Sequence, residues 1–104
     1  MNKYMEKSRV IDKEGVKIIY RYGPNNTMEI VDIYSKAKSR GNGTRVLTEL
    51  QEQEISKNDI KSIYCFVRLE NTGAIRFYQK NGFIVQKVPN LYWDSGSAIA
   101  IKKL

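Results

Sequence analysis

The run IKSIYCFV, from Ile60 to Val67, is apolar along most of its length, the pattern of a short strand covered on both faces and so central in its sheet. Helical sequence flanks it on both sides. After Gly43, Val46, Leu47, Leu50 and Ile55 recur at spacings near one helical turn, with Glu49, Gln51, Glu52 and Gln53 placed on the wet side, which predicts a helix from about Thr44 to Ser56. Downstream, Asn71 is a suitable N-cap, Ala74, Phe77 and Tyr78 give an apolar stripe, and Asn81-Gly82 supplies a left-handed stop, so a second helix follows the central strand.

The remaining segments are β-rich. GVKIIYRY (Gly15 to Tyr22) and TMEIVDIY (Thr27 to Tyr34) are joined by Gly23-Pro24-Asn25-Asn26, a strong turn signal, and read as two antiparallel strands. A third strand is expected before them, around Glu6 to Asp12, with Lys13-Glu14-Gly15 as its turn. Phe83 to Val88 and Tyr92 to Lys103 close the chain as two more strands around a Pro89-Asn90 turn. The expected order is β-β-β-α-β-α-β-β, an α+β fold in a single domain over residues 1–104, since 104 residues make one core and no more. No repeat, linker or low-complexity segment interrupts it.

Composition removes several chemistries. The chain has no histidine and a single cysteine, Cys65, which excludes an internal disulfide, the usual zinc spacings and the histidine-dependent triads, so no metal is expected. Met1 to Ser8 is charged, with no apolar run of signal-peptide type, and no apolar stretch is long enough to span a bilayer, so a cytoplasmic protein without a membrane partner is expected. Eighteen Lys and Arg against eleven Asp and Glu give a net charge of +7, which favours anionic partners: nucleic acid, a phosphate-bearing cofactor or an acidic protein.

Ser35 to Arg45 (SKAKSRGNGTR) runs from a strand through a glycine-bearing loop into a helix. Its glycines let the backbone approach an anion, the free N–H groups of the helix start point at it, and the helix dipole adds roughly half a positive charge. Lys36, Lys38, Arg40 and Arg45 have the same sign. The stretch is neither a Walker A sequence nor a dinucleotide fingerprint, and Gly-Asn-Gly is also an ordinary loop before a helix.

Asn71 to Phe83 (NTGAIRFYQKNGF) follows a pattern specific to one group of proteins, and here the chain resembles the GNAT superfamily of acyl-CoA-dependent N-acyltransferases. Asn71, Ala74, Phe77, Tyr78, Gly82 and Phe83 match its second signature. Arg40 and Gly43 match the first, but Arg45 stands where Gly or Ala is usual. The resemblance covers Thr27 to the C-terminus. It implies a twisted, mixed, mostly antiparallel sheet with two main helices, splayed open between the strand ending near Ser35 and the strand ending near Arg68. Acetyl-CoA would be the co-substrate. The resemblance places its pantetheine against the backbone of Ile33, Tyr34 and Ser35, and its pyrophosphate on the amides of Arg40, Gly41, Asn42, Gly43, Thr44 and Arg45. It further gives Asn71 to the pantetheine arm and makes Tyr78 the proton donor to the departing thiolate. Simpler readings stand beside these: Asn71 as a helix cap alone, Tyr78 as a core aromatic.

Transfer to an amine needs the amine deprotonated, and without histidine the base is a carboxylate or water. By the resemblance Glu29 is the closer positional match for that base and Asp32 the alternative, with Glu70 behind both; each is otherwise an ordinary polar residue of a strand or loop. Family members usually carry one strand and two helices before the matched region, and too few residues precede it here for all three. That implies an open acceptor side and a lysine or terminal amine on a protein as acceptor, with dimerisation through Tyr92, Trp93 and the last strand as another way to close the wall. Two further classes remain: a non-catalytic acetyl-CoA-binding regulator of a partner protein, and a basic nucleic-acid-binding module, the latter without an RNA-binding aromatic signature.

Overall fold

The computed structural model of the protein describes residues 7–36, 41–88 and 96–104. Its elements run β1 (Arg9–Lys13), β2 (Val16–Gly23), β3 (Thr27–Ser35), α1 (Asn42–Asn58), β4 (Ser62–Arg68), α2 (Thr72–Lys80), β5 (Ile84–Val88) and β6 (Ser97–Lys103). The strands form one sheet in the order β1-β2-β3-β4-β6-β5. All neighbours are antiparallel except β3 and β4. The α+β class, the element order and the internal position of the IKSIYCFV strand are as expected. The outer ends of two expected strands, Glu6 and Tyr92 to Ser95, lie outside the described residues, as do the Pro89-Asn90 turn and the Tyr92-Trp93 dimer contact.

The hairpin turn between β2 and β3 sets where β4 can dock. Asn25 and Asn26 sit at positive φ (57° and 60°), a conformation that asparagine tolerates better than most residues. The Asn26 carbonyl then accepts from Lys61 N (2.8 Å), and its side-chain amide donates to the Asp59 carbonyl (3.2 Å). The turn thus grips the exit of α1 and starts the parallel pairing at Thr27↔Ser62, continuing through Met28↔Ile63 and Glu29↔Tyr64. There it stops.

A bulge then re-aims β3. Tyr20 faces Ile30 and Ile19 faces Asp32, so Val31 is an extra residue, and one extra residue reverses which face the following side chains take. Met28 and Ile30 are buried before it, Val31 is 42% exposed, and Ile33 is turned back toward the core side.

Both helices pack on one face of the sheet. Val16, Ile18, Tyr20, Ile63, Cys65, Val67, Ala98 and Ala100 meet Val46, Leu47 and Leu50 of α1 and Tyr78 of α2, with Phe83 closing one end. Alternation in β4 is cleaner than the sequence suggests. Ile63, Cys65 and Val67 are buried, whereas Tyr64 and Phe66, in edge contact at 5.9 Å, are half-buried on the opposite face.

The wet and dry sides of α1 need correcting. Ile55 is 45% exposed, while Gln51 and Glu54 are buried at 6% and 1%. The buried stripe runs through Leu47, Leu50, Gln51 and Glu54, and the two polar members are satisfied where they land. Lys102 Nζ donates to Gln51 (3.0 Å). Tyr22 Oη and Asn58 Nδ2 donate to the Glu54 carboxylate (2.7 and 2.9 Å), which also pushes the Tyr22 phenol up to about 12, after burial itself as the larger cause. Removing one donor leaves a buried carboxylate short of a partner, so Tyr22→Phe should cost about 1–3 kcal/mol in urea unfolding. An unchanged midpoint would show that the Tyr22–Glu54 bond does not hold β2 to α1.

Candidate active site

Where β3 and β4 part, a cleft of about 590 Å³ opens. Val16 and Ile33 come from the sheet, Ser35 and Lys36 from the end of β3, Gly41, Gly43 and Thr44 from the start of α1, and Ala74, Phe77, Tyr78 and Lys80 from α2. Each wall has a local cause. Gly41 caps α1 at φ 86°, a left-handed conformation that side-chain-bearing residues rarely hold. Among the described residues no side chain caps this helix start, and no acidic residue stands in its first turn, so the first amides and the dipole are available to an anion in the cleft. Gly43 serves packing: a Cβ there would lie 3.3 Å from Phe77, so its absence lets the first turn of α1 close on α2.

On the far wall, α2 begins at Asn71, whose Oδ1 accepts from Ala74 N (3.1 Å). It ends with Phe83 N donating to the Tyr78 carbonyl (2.9 Å) and Gly82 at φ 90°. That frame holds Tyr78 between Phe77 and Phe83, with ring centroids at 5.4 and 5.1 Å. Tyr78 is 4% exposed, and its hydroxyl pairs with the Cys65 thiol on β4. Burial raises the phenol far above the tyrosine range, and Cys65 and the Asp32 carboxylate push the same way. Burial also pushes the thiol up to about 12. Tyr78 is therefore a protonated, hydrogen-bonding phenol at any physiological pH.

The residues singled out by sequence divide by position. Tyr78, Ile33, Ser35, Gly41, Gly43 and Thr44 line the cleft. Tyr34 is 51% exposed and turned to the other face, where its hydroxyl donates to Asp32 Oδ2 (2.7 Å). Asn42 donates to the Glu14 carbonyl (3.2 Å). Arg45, the departure from the family pattern, pairs with Glu14 (3.5 Å) and Asn42 and points its charge at the β1–β2 turn, away from the cleft. Asn71 acts as the N-cap, using Oδ1 alone. Glu29 stands at the last position of β3 that pairs with β4, 13% exposed, with Oε1 taken by Arg21 Nε (2.8 Å). Arg40 and Lys38 lie outside the described residues. Glu70 is an exposed partner of Arg68 (3.5 Å).

Sequence reasoning assigned Ala74 and Phe77 to the core and passed over Val16 and Lys80, although all four line the cleft. Spacing was the available signal, because positions 74, 77 and 78 share a face and what lines a cleft beside Tyr78 follows from it. Among the described residues no cluster of three or more candidate metal ligands occurs, and no helix is long and apolar enough to cross a membrane.

Residues 14–83 match the model of the acetyltransferase (GNAT) family. The PaiA N-acetyltransferase of Thermoplasma acidophilum, solved with coenzyme A, aligns at 25% identity and a TM-score of 0.71, covering 86% of this chain and 53% of that one. Ard1 of Thermoplasma volcanium aligns at 25% identity and 0.72, covering 86% and 62%. A Bacillus subtilis acetyltransferase solved with CoA shares the fold at 16% identity and 0.72, covering 98% of this chain and 80% of its own. The chain thus spans little more than half the length of the first two. No curated protein sequence matches it.

The buried Cys65–Tyr78 pair has a consequence for stability. Burial pushes the thiol up from its ordinary 9.0 to about 12, so between those values the native state holds its proton more tightly. Stability should then be full below about pH 9 and fall as pH rises toward 12. Urea midpoints measured across this range should drop, and drop less steeply in Cys65→Ala; identical slopes in both proteins would contradict the buried pair.

Proposed function

Because the chain belongs to the GNAT acetyltransferase family, we propose that it transfers an acetyl group from acetyl-CoA to an amine. One observation carries this reading: the cleft at the β3–β4 parting joins a glycine-opened helix start to the protonated hydroxyl of Tyr78. The donor set fits an acyl-CoA. The apolar walls suit a pantetheine arm, while the helix start, Lys36 and Lys80 suit phosphates. That the PaiA relative is described as an N-acetyltransferase with coenzyme A bound supports acetyl as the group moved.

When bound, acetyl-CoA supplies the activated acyl group and a thiolate leaving group. The chain's residues do the rest. The β3 edge beyond Glu29, where pairing with β4 has ended, is available to hold an amide-bearing arm as an added strand through the backbone of Ile33, Tyr34 and Ser35. The amides of Gly41 to Thr44 hold the pyrophosphate, that of Arg45 being taken by the Gly41 carbonyl (3.0 Å), and Asn71 has its Nδ2 donor to offer the arm while Oδ1 caps the helix. Tyr78 gives its proton to the leaving sulfur, since a phenol kept neutral by burial stays loaded for that step. Glu29 takes the proton of the incoming amine, directly or through water. Arg21 holds one of its oxygens and orients the other, and its charge reaches Cys65, the partner of Tyr78.

The acceptor we propose is a lysine or terminal amine on a protein. Both helices lie on one side of the sheet, and among the described residues no helix covers the face carrying Glu29 and Asp32, so a large amine donor has access there. A cytoplasmic location goes with a protein acceptor of this kind.

The test separates roles by kinetics. Tyr78→Phe should lower kcat about 10²-fold or more with KM for acetyl-CoA little changed. Asn71→Asp keeps the capping oxygen but loses the Nδ2 donor, so it should raise that KM without loss of thermal stability; a melting shift with unchanged KM would leave Asn71 a cap alone. If Asp32→Asn abolishes turnover and Glu29→Gln does not, the base is Asp32. Tight acetyl-CoA binding without turnover on protein amines would make the chain a non-catalytic binder.

A further inference from the structure

The sheet ends differently on its two sides. At one edge, β1 carries mixed charge and its neighbours are paired, as in Lys13 with Glu49. At the other, β5 pairs only with β6, leaving the row of backbone groups along its outer side without a strand among the described residues. Edge strands are ordinarily blunted by charge, proline or a bulge. Within Ile84–Val88 only Lys87 does this, and Ile84 is 68% exposed. Ile84 stands opposite Ile101 in register, itself 37% exposed, and the two border a groove of about 440 Å³ with Gly82, Gln86, Lys102 and Lys103.

The charge around this edge is one-sided. From Asn71 to Leu104 the sequence holds Arg76, Lys80, Lys87, Lys102 and Lys103 against a single carboxylate, Asp94. Among the described residues no ion pair engages Arg76, Lys80, Lys87 or Lys103. Strand alternation sorts these features by face: Ile84, Gln86 and Ile101 are on one, Lys87 and Lys102 on the other.

We propose that β5 is a docking edge for an extended acidic segment of a partner protein, which adds to the sheet as a seventh strand. Its backbone completes the open ladder. Alternate apolar side chains cover Ile84 and Ile101, and the intervening carboxylates meet Lys87 on the opposite face, with Lys80 and Lys103 adding long-range attraction. A second copy of this chain fits the edge poorly, because two-fold pairing would bring two lysine-bearing edges of the same charge together. Nucleic acid fits it poorly too, since phosphates have no use for an apolar ridge beside an open backbone ladder.

A fluorescein-labelled peptide of about ten residues alternating glutamate with valine, titrated with the whole chain, tests this by anisotropy. Binding is expected, weakening as salt rises, and about tenfold or more weaker for Ile84→Asp and for Lys87→Glu. Both variants should retain wild-type affinity for acetyl-CoA, which shows them folded. A matched peptide with proline at every second valine, unable to add as a strand, should bind no better than the variants do. The proposal is overturned if the alternating peptide fails to bind, if the proline peptide binds equally well, or if Ile84→Asp has no effect. It is equally overturned if a single-stranded DNA oligomer binds with the same dependence on Ile84 and Lys87, or if sedimentation shows the wild type dimerising through this edge and Ile84→Asp abolishing the dimer.

Discussion

Strands β3 and β4 run side by side only from Thr27↔Ser62 to Glu29↔Tyr64, and the rest of the molecule is arranged around the point where they part. Upstream, Asn26 of the hairpin grips the end of α1 and fixes the start of the pairing. Downstream, the Val31 bulge turns Ile33 toward the helices and Asp32 toward the opposite face. A longer ladder would fill the cleft with backbone and leave nowhere for a ligand arm to add. Parting without the bulge would put Ile33 in solvent and a carboxylate in the apolar wall, at a cost of several kcal/mol.

Charge is divided as consistently as backbone. The cleft receives a helix start and two lysines, while Arg45, one of the loop cations by sequence, is drawn off by Glu14. The phenol at the inner end is kept neutral by burial, and the carboxylates Glu29 and Asp32 belong to the opposite face of the sheet. Positive potential for phosphates, a neutral proton donor and an acidic approach for an amine thus occupy three separate places in a small fold. Separation of this kind lets groups of opposite preference work near one another without neutralising each other.

Much of this was legible in the sequence, because local signals and tertiary packing agree there. The Asn71 cap, the Gly82 stop and Tyr78 two turns along the helix are each fixed by contacts within a few residues. What was not legible depended on partners distant in sequence. Nothing local marks Glu54 and Gln51 as buried, since their partners Tyr22 and Lys102 lie on other elements. Arg45 reads as part of the loop until Glu14 is seen beside it. Lys80 escaped notice because a charged residue near the end of a helix has an ordinary explanation in the helix dipole. The Val31 bulge shows in TMEIVDIY only as a break in the alternation at Ile30-Val31, too short a signal to separate from an ordinary apolar pair.

Amide hydrogen exchange with and without acetyl-CoA tests the central claim most directly, because it reads the β3–β4 parting residue by residue. Added protection should appear at the amides of Ile33 to Ser35 and at Gly41 to Thr44, with β1 and β5 unchanged. Protection confined to other strands, or no change at saturating acetyl-CoA, would contradict the reading of the parted strands as the ligand site.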